Sequence, residues 1–164
     1  MIVFVLENVF ADHYDVDQRQ PGFTWKRMRL GRRLGAQQLG ASVYRLEPGQ
    51  RSFPFHFHHG NEEMLLVLEG EVGIRTTDGV IGAVPGDAML FEPGAAGAHQ
   101  IVNTGHGPAR VLVVSGMTSP EVTEFPDSGK VGLFAGHAPG ATQAGDLKRF
   151  VSCEDVDYFA GEPT

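Results

Sequence analysis

Short apolar segments separated by turns dominate the middle of the 164-residue chain. Most are four to eight residues long, and several alternate apolar with polar positions, which is typical of β-strands. Gly and Pro residues lie between many of them and provide the turns. The predicted strands cover residues 41–46, 52–59, 63–68, 72–76, 80–84, 88–91, 100–102 and 109–116. Eight short strands at this spacing predict an all-β fold, a double-sheet jelly-roll barrel.

The two ends of the chain have a weaker pattern. At the N-terminus, residues 2–6 could form a strand and residues 9–22 form an irregular lead-in. After the barrel core, about residues 40–116, the chain becomes rich in turns, with a possible strand at 147–151 and one helical turn at 155–159. We therefore predict one domain over 1–164, in which 1–39 and 117–164 are N- and C-terminal arms.

The segments at 52–59 and 63–68 are apolar on both faces. In a regular strand Phe53, Phe55 and Phe57 point away from the histidines between them, and Met64 points away from Leu65. Such a face is unfavourable in water, so something must cover it. The cover could be an arm of the same chain or a second subunit, and we predict a homodimer packed partly through this face.

Composition and charge exclude several function classes. Hydrophobic residues are 41% and charged residues 20%, as in ordinary globular proteins. The net charge of −7 argues against a nucleic-acid partner. The single cysteine, Cys153, cannot form an internal disulfide and fits a reducing compartment. Because the sequence also shows neither a signal peptide nor an apolar run long enough to cross a membrane, we expect a cytoplasmic protein without a membrane partner.

A basic cluster follows the lead-in. It fits either an anion site near the barrel mouth or a solvated surface that offsets the acidic remainder of the chain, and we expect the solvated surface. Its members are Lys26, Arg27, Arg29, Arg32 and Arg33.

The residues with the clearest chemistry are His56, His58 and Glu63. Side chains two apart on a strand share a face, so both imidazoles can reach one point. A turn at 59–61 would reverse the chain and bring Glu63 back beside them. Two imidazoles and a carboxylate favour Zn, Fe, Mn, Co or Ni over Mg or Ca. The adjacent Glu62 is the alternative carboxylate, but Glu63 shares a face with the interior Leu65.

A second stretch, residues 85–103, has a Pro-Gly turn followed by His99 at the start of an extended run. Together the two stretches resemble the paired motifs of the cupin superfamily, and residues 126–130 and the closing segment resemble small single-domain bacterial cupins. The matching residues of the first motif are Gly49, His56, His58, Glu63 and Gly70, and those of the second are Gly86, Pro93, Gly94, His99 and Asn103.

The resemblance implies a cupin barrel whose metal ligands are His56, His58, Glu63 and His99. The cofactor would be one divalent transition metal, Fe, Mn, Zn or Ni. Three further residues are candidates for the pocket or for support of the ligands. Tyr44 is either a polar group in the pocket or a half-buried aromatic of the barrel, and we expect the barrel aromatic. His59 is a rim residue that could act as a general acid or base, and Asn103 could support a ligand through a hydrogen bond.

The implied function is a metal-dependent enzyme on a small oxygen-rich molecule, an oxygenase, isomerase or decarboxylase. The alternative is a cupin that binds or senses a small molecule without turnover. An enzyme should place a spare acid or base near the metal, whereas a binder should have a closed apolar pocket. The sequence assigns no catalytic residue.

Overall fold

A computed structural model describes residues 4–152 and 154–161. The predicted strand at 2–6 lies partly outside this range, and its described residues, 4–6, are not in a strand. Cys153 also lies outside the described residues. No helix within them is long and apolar enough to cross a membrane.

Thirteen strands and two very short helices make up the described chain. The helical elements are α1 (Leu30–Arg33) and a 3₁₀ turn (Ala95–Gly97). The strands are β1 (Val16–Gln20), β2 (Phe23–Met28), β3 (Leu39–Leu46), β4 (Phe57–His58), β5 (Glu63–Glu69), β6 (Val72–Thr76), β7 (Gly79–Ala83), β8 (Ala88–Phe91), β9 (Gln100–Asn103), β10 (Ala109–Gly116), β11 (Glu121–Phe125), β12 (Lys130–Ala135) and β13 (Leu147–Ser152).

The strands form three antiparallel sheets. Their orders are β1-β2-β3-β10-β5-β8, β7-β6-β9 and β13-β12-β11-β4. The predicted barrel strands are confirmed except for 52–59, with bounds within two residues of those expected. The all-β jelly-roll with N- and C-terminal arms is therefore confirmed. The assignment of the whole chain to one domain stays a prediction.

The core lies between the six-stranded and the three-stranded sheet. Alternate residues of β3, β5 and β10 meet alternate residues of β6 and β9 in one cluster. Leu65 and Val67 on one side and Ile74 and Ile101 on the other are almost fully buried. Burial of each such side chain contributes about 1.5–3 kcal/mol, so this alternation fixes which face of each strand looks inward.

Both arms contain strands that the pattern does not predict. Within the lead-in, β1 pairs with β2 at the edge of the large sheet, so the irregular reading of 9–22 is wrong there. Edge strands can be polar on both faces, as β1 is. In the C-terminal arm, β11 and β12 form a hairpin that joins β4, and the predicted strand at 147–151 is confirmed as β13. A turn, not a helix, follows Asp157.

The predicted strand over 52–59 is mostly irregular. Only Phe57 and His58 form a regular strand, and His56 makes an isolated bridge to His99. The three phenylalanines do not share one face as expected. Phe53 packs with the interior cluster, whereas Phe55 and Phe57 pack with Ala98 in a separate one. The irregular backbone is what allows Phe53 to turn inward.

The outer face of β5 is covered in part by the same chain. Leu68 packs in a cluster with Met28 and with residues of the lead-in. Farther along the same face, Met64 is 40% exposed and its β8 neighbour Leu90 is 54% exposed. The chain itself therefore covers the Leu68 end of this face and leaves the Met64 end exposed, and the homodimer stays a prediction.

Candidate metal centre

Two backbone hydrogen bonds join the stretches that carry the candidate ligands. The amide of His56 donates to the carbonyl of His99 at 3.2 Å, and the amide of His99 donates to the carbonyl of His56 at 2.9 Å. The imidazole rings consequently lie with centroids 4.8 Å apart. This bridge brings together residues 43 positions apart in the chain.

Two of the imidazoles are oriented by carbonyl groups of their own loops. Nδ1 of His56 lies 2.9 Å from the carbonyl oxygen of Pro54, and Nδ1 of His99 lies 2.9 Å from that of Gly97. A carbonyl oxygen only accepts, so each Nδ1 carries the proton and donates it. The lone pair of each Nε2 is then available, which is the form that binds metals.

The third imidazole is held by the C-terminal arm. Nδ1 of His58 lies 3.3 Å from Oε1 of Glu121 and 3.2 Å from Oγ1 of Thr123, both on β11. The Glu121 side chain is completely buried. It also accepts hydrogen bonds from the amides of His59 and Gly60 and from the Asn61 side chain. This carboxylate fixes both the ring of His58 and the turn that follows it.

The carboxylate of Glu63 faces the Nε2 atoms of two of these imidazoles. Its Oε2 lies 3.2 Å from Nε2 of His99 and 3.6 Å from Nε2 of His58. Candidate ligand atoms of His56, His58 and Glu63 all lie within 4.8 Å of one another. Three imidazole nitrogens and one carboxylate oxygen suit a first-row transition metal better than Mg²⁺ or Ca²⁺. The group could therefore hold a metal ion of the predicted class.

Burial and neighbouring charges set the protonation states of the group. Burial lowers the pKa of His56 to about 3, and the charges of His99 and His58 add to the effect. Burial alone would raise the pKa of Glu63, but the contact with His99 and the charges of the nearby imidazoles lower it to about 2. At neutral pH His56 is neutral and Glu63 is ionised, and these are the forms that ligate metals.

His58 differs from the other members of the group. Burial would lower its pKa, yet the hydrogen bond to Glu121 and the charges of Glu63 and Glu121 outweigh burial and raise it. Two carboxylates, one on each side of the ring, therefore favour a proton on His58. A metal ion would have to displace a proton there, which couples its affinity to pH.

Aromatic rings pack against the imidazoles. The Phe91 ring stacks on that of His99 with centroids 3.7 Å apart and planes 7° apart. The Phe125 ring lies 6.0 Å from that of His56, with planes 19° apart. His56, His58 and His99 are all buried. The rings restrict rotation of the imidazoles and limit access of water to the group.

The structure separates the two candidate carboxylates. Glu63 contacts the imidazoles, whereas Glu62 is exposed. Tyr44 is buried in the interior cluster, with its ring 5.2 Å from that of Phe53, which in turn lies 6.0 Å from that of His56. Tyr44 is thus an aromatic residue of the barrel interior, and its role as a polar group in the pocket stays a prediction.

The other two candidates lie differently. His59 is on the rim, where its Nε2 lies 2.7 Å from Oε1 of Glu124, and its role as an acid or base stays a prediction. The side-chain amide of Asn103 donates to the carbonyls of Leu46 and Gly107, both at 2.9 Å. Those hydrogen bonds tie loops of the barrel together instead of supporting His99.

Sequence reasoning missed the contributions of Glu121, Thr123 and Phe125. All three lie on β11 and alternate along it, so they share the face that looks toward the imidazoles. A polar pair on a buried face gives no hydrophobic alternation, which is why the strand was not predicted. Gln100 was also missed, and its side chain donates to the carbonyl of Phe53 at 2.6 Å.

Comparison with known proteins agrees with this architecture. A family described as "Cupin domain" matches residues 42–115. Germin-like protein subfamily 3 member 3 of Arabidopsis thaliana is 32% identical over 133 residues, which cover 77% of this chain and 59% of that protein. The chain thus spans less than two thirds of the length of this curated relative.

Two solved structures match most of the chain. One, named provisionally as a sugar phosphate isomerase from Acidithiobacillus ferrooxidans, has a TM-score of 0.72 at 26% identity and covers 88% of this chain and 86% of its own. The other, described as a sugar phosphate isomerase of the cupin superfamily from Silicibacter pomeroyi, has a TM-score of 0.69 at 28% identity, with coverages of 82% and 81%. With the motifs, the sheets and these matches in agreement, this chain belongs to the cupin superfamily.

Proposed function

We propose that this cupin binds one divalent transition metal through His56, His58, Glu63 and His99 and acts on a small oxygen-rich molecule, with isomerisation as the reaction. The supporting observation is that all three imidazoles have Nδ1 held by hydrogen-bond partners within the chain, while Glu63 faces Nε2 of two of them. The similarity to two proteins described as sugar phosphate isomerases favours isomerisation over oxygenation or decarboxylation.

The metal, when bound, would supply Lewis-acid chemistry that polarises a carbonyl group and acidifies the neighbouring carbon. The protein would contribute a dry, rigid site, since Phe91 and Phe125 pack against the imidazoles. Burial raises the pKa of the Tyr44 hydroxyl. That hydroxyl therefore stays protonated at neutral pH and could donate a hydrogen bond to a substrate oxygen.

Metal analysis tests the ligand set. Protein purified and then incubated separately with Fe²⁺, Mn²⁺, Zn²⁺ and Ni²⁺ should retain one ion per chain with at least one of them. The variants His99→Ala and Glu63→Gln should lose it, whereas His106→Ala should keep it, because His106 is exposed in the turn between β9 and β10. If wild type retains none of the four ions, the proposed ligand set is wrong.

Proton exchange tests the reaction. Aldoses and ketoses, with and without a phosphate group, are incubated in D₂O with the metal-loaded protein and followed by ¹H NMR. Isomerisation predicts loss of the signal from the proton on the carbon next to the carbonyl, together with the interconverted sugar. The same incubation with His99→Ala should leave the spectrum unchanged.

The binding or sensing alternative has one observation in its favour. Much of the barrel interior is filled by apolar side chains such as Leu65, Val67 and Ile101. A metal-loaded protein that binds a sugar by calorimetry but exchanges no proton would support that alternative. Oxygen consumption by the iron-loaded protein would instead favour the oxygenase form of the proposal.

A further inference from the structure

The half-buried and buried arginines fall into two groups. Four of them pair with carboxylates at 4.0 Å or less: Arg33, Arg45, Arg75 and Arg110. The other two, Arg27 and Arg29, have no carboxylate partner among residues 4–152 and 154–161. A guanidinium removed from water without a counter-charge is unfavourable, so this pair is set apart from the rest.

Arg27 points toward the barrel interior. In the register of β2 and β3 it lies opposite Tyr44, and Trp25 lies opposite Leu46, both partners belonging to the interior cluster. Met28, the next residue, packs in the cluster on the other face of the sheet. Arg27 therefore lies on the face that also carries Glu63.

The Arg27 side chain makes one hydrogen bond and has further donor groups available. Its Nε donates to Oγ of Ser42 at 2.9 Å, and its Cζ lies 5.5 Å from the centroid of the Tyr44 ring. Neither terminal amino group has an acceptor within the described part of the chain. The loop at Gly140 approaches this end, since a Cβ built on Gly140 would lie 3.0 Å from Nη2 of Arg27.

Arg29 follows two residues later and also has a donor group without a hydrogen-bond partner. Its Nε is buried and has no hydrogen-bond partner in the described residues. Burial raises the pKa of the Tyr44 hydroxyl, the charge of Glu63 raises it further, and the charges of Arg27 and Arg29 oppose that rise. Tyr44 thus lies within the field of both arginines and of the candidate metal ligand.

We infer that Arg27 and Arg29 form a subsite for an oxyanion, the phosphate or carboxylate group of the substrate, at the end of β2 and on the side of the large sheet that also carries Glu63. The inference rests on the proposed function for its substrate but not for the anion site itself. A planar guanidinium with unused N–H groups matches the oxygens of either anion. Both side chains are half-buried and have no carboxylate partner in the described residues, so an anionic ligand could supply the neutralising charge. For these two members the proposal departs from the expectation of a solvated surface.

Anion binding to the metal-free protein tests the subsite separately from the metal. The protein is treated with a chelator, and inorganic phosphate and malonate are titrated in by calorimetry at constant ionic strength. Arg27→Gln and Arg29→Gln should each weaken binding about tenfold to hundredfold, the effect of losing a charge-assisted hydrogen bond. Arg32→Gln is the matched control, because Arg32 belongs to the same basic cluster but is exposed. Tighter binding of phosphate or of malonate identifies the preferred oxyanion.

The outcomes separate the two proposals. Unchanged affinity in both variants, or no binding of either anion, overturns the subsite. If phosphate binds only to the metal-loaded protein, and with the same affinity in both variants, it binds to the metal. That result overturns the subsite and leaves the metal site intact. Arginine-dependent binding in a protein that takes up no metal keeps the subsite and refutes the proposed function. If Arg27→Gln fails to fold, Arg27→Lys, which keeps the charge, should bind the anion, and Arg29→Gln alone decides the test.

Discussion

Replacing Glu121 by glutamine should weaken metal binding without removing a ligand. Oε1 of Glu121 accepts the His59 amide at 3.0 Å and faces Nδ1 of His58 at 3.3 Å, while Oε2 accepts Gly60 at 3.1 Å and Asn61 at 2.6 Å. Every neighbour of this carboxylate is a donor. A glutamine keeps one accepting oxygen and turns an NH₂ group toward donors on the other side. Either His58 or the turn after it therefore loses its partner.

The expected loss of metal affinity follows from the role of a hydrogen-bond partner of a ligating histidine. Removing the hydrogen-bond partner of a ligating histidine costs about 10–100-fold in metal affinity, or about 1.4–2.7 kcal/mol. Competition against a chromophoric chelator measures this affinity, and the Co²⁺ absorption spectrum shows whether the ligand geometry has changed. Glu124→Gln is the matched control, because Glu124 lies on the same strand but its side chain is 43% exposed and pairs with His59. A folded Glu121→Gln protein that binds metal as tightly as Glu124→Gln would refute the reasoning.

Four further predictions follow from particular contacts. Gly97→Ala should lower both the melting temperature and metal retention, because its Cβ would lie only 1.9 Å from the carbonyl oxygen of Glu92 and the loop that orients His99 must move. The hydrogen bond from Arg75 lowers the pKa of Asp127 below its ordinary value of 3.8. The ion pair should therefore stabilise the fold at pH values above 3.8, and this effect should vanish as the pH falls through the lowered pKa. The melting temperatures of wild type and Asp127→Asn should consequently converge in acid. Met64→Glu should convert a dimer to a monomer in light scattering if the homodimer uses the exposed part of the β5 face. Removal of a bound metal by a chelator should lower the melting temperature. Where the ion was present at 100 times its Kd, the lost free energy of unfolding is about 2.7 kcal/mol.

Controls and contrary outcomes are available for each. Gly107→Ala adds a methyl group where nothing lies within 4 Å and should be tolerated. Melting temperatures that stay equally far apart at all pH values would contradict the Asp127 prediction. A monomeric wild type at every concentration would exclude the homodimer. Chelator treatment of His99→Ala should have no effect, and an equal effect there would mean that the metal binds elsewhere.

The sequence predicted the barrel well because its strands bury one face in a common core. Leu65 and Val67 alternate with residues on the outer face of β5, and the same period recurs in β10. The spacing of His56 and His58, with Glu63 after a turn, likewise placed three candidate ligands together. These features depend on local geometry, which a sequence pattern records directly.

The remainder depends on contacts between distant segments. No local pattern indicates that β11 would pair with β4 or that Glu121 would reach His58, since the two are 63 positions apart. The inward orientation of Phe53 follows from an irregular backbone that a regular strand could not predict. The basic cluster contains both half-buried and exposed side chains. Only the register of β2 with β3, which places Arg27 opposite Tyr44, separates Arg27 from the exposed members.

The position of Glu121 on β11 has a consequence for how proteins of this kind could diversify. The residues matched by the cupin family, 42–115, include all four proposed ligands but not the carboxylate that holds His58. Exchange of the C-terminal arm between related barrels would therefore alter the basicity of one imidazole while leaving every ligand in place. A change confined to the C-terminal arm would therefore be enough to alter the metal affinity of a barrel whose proposed ligands are unchanged.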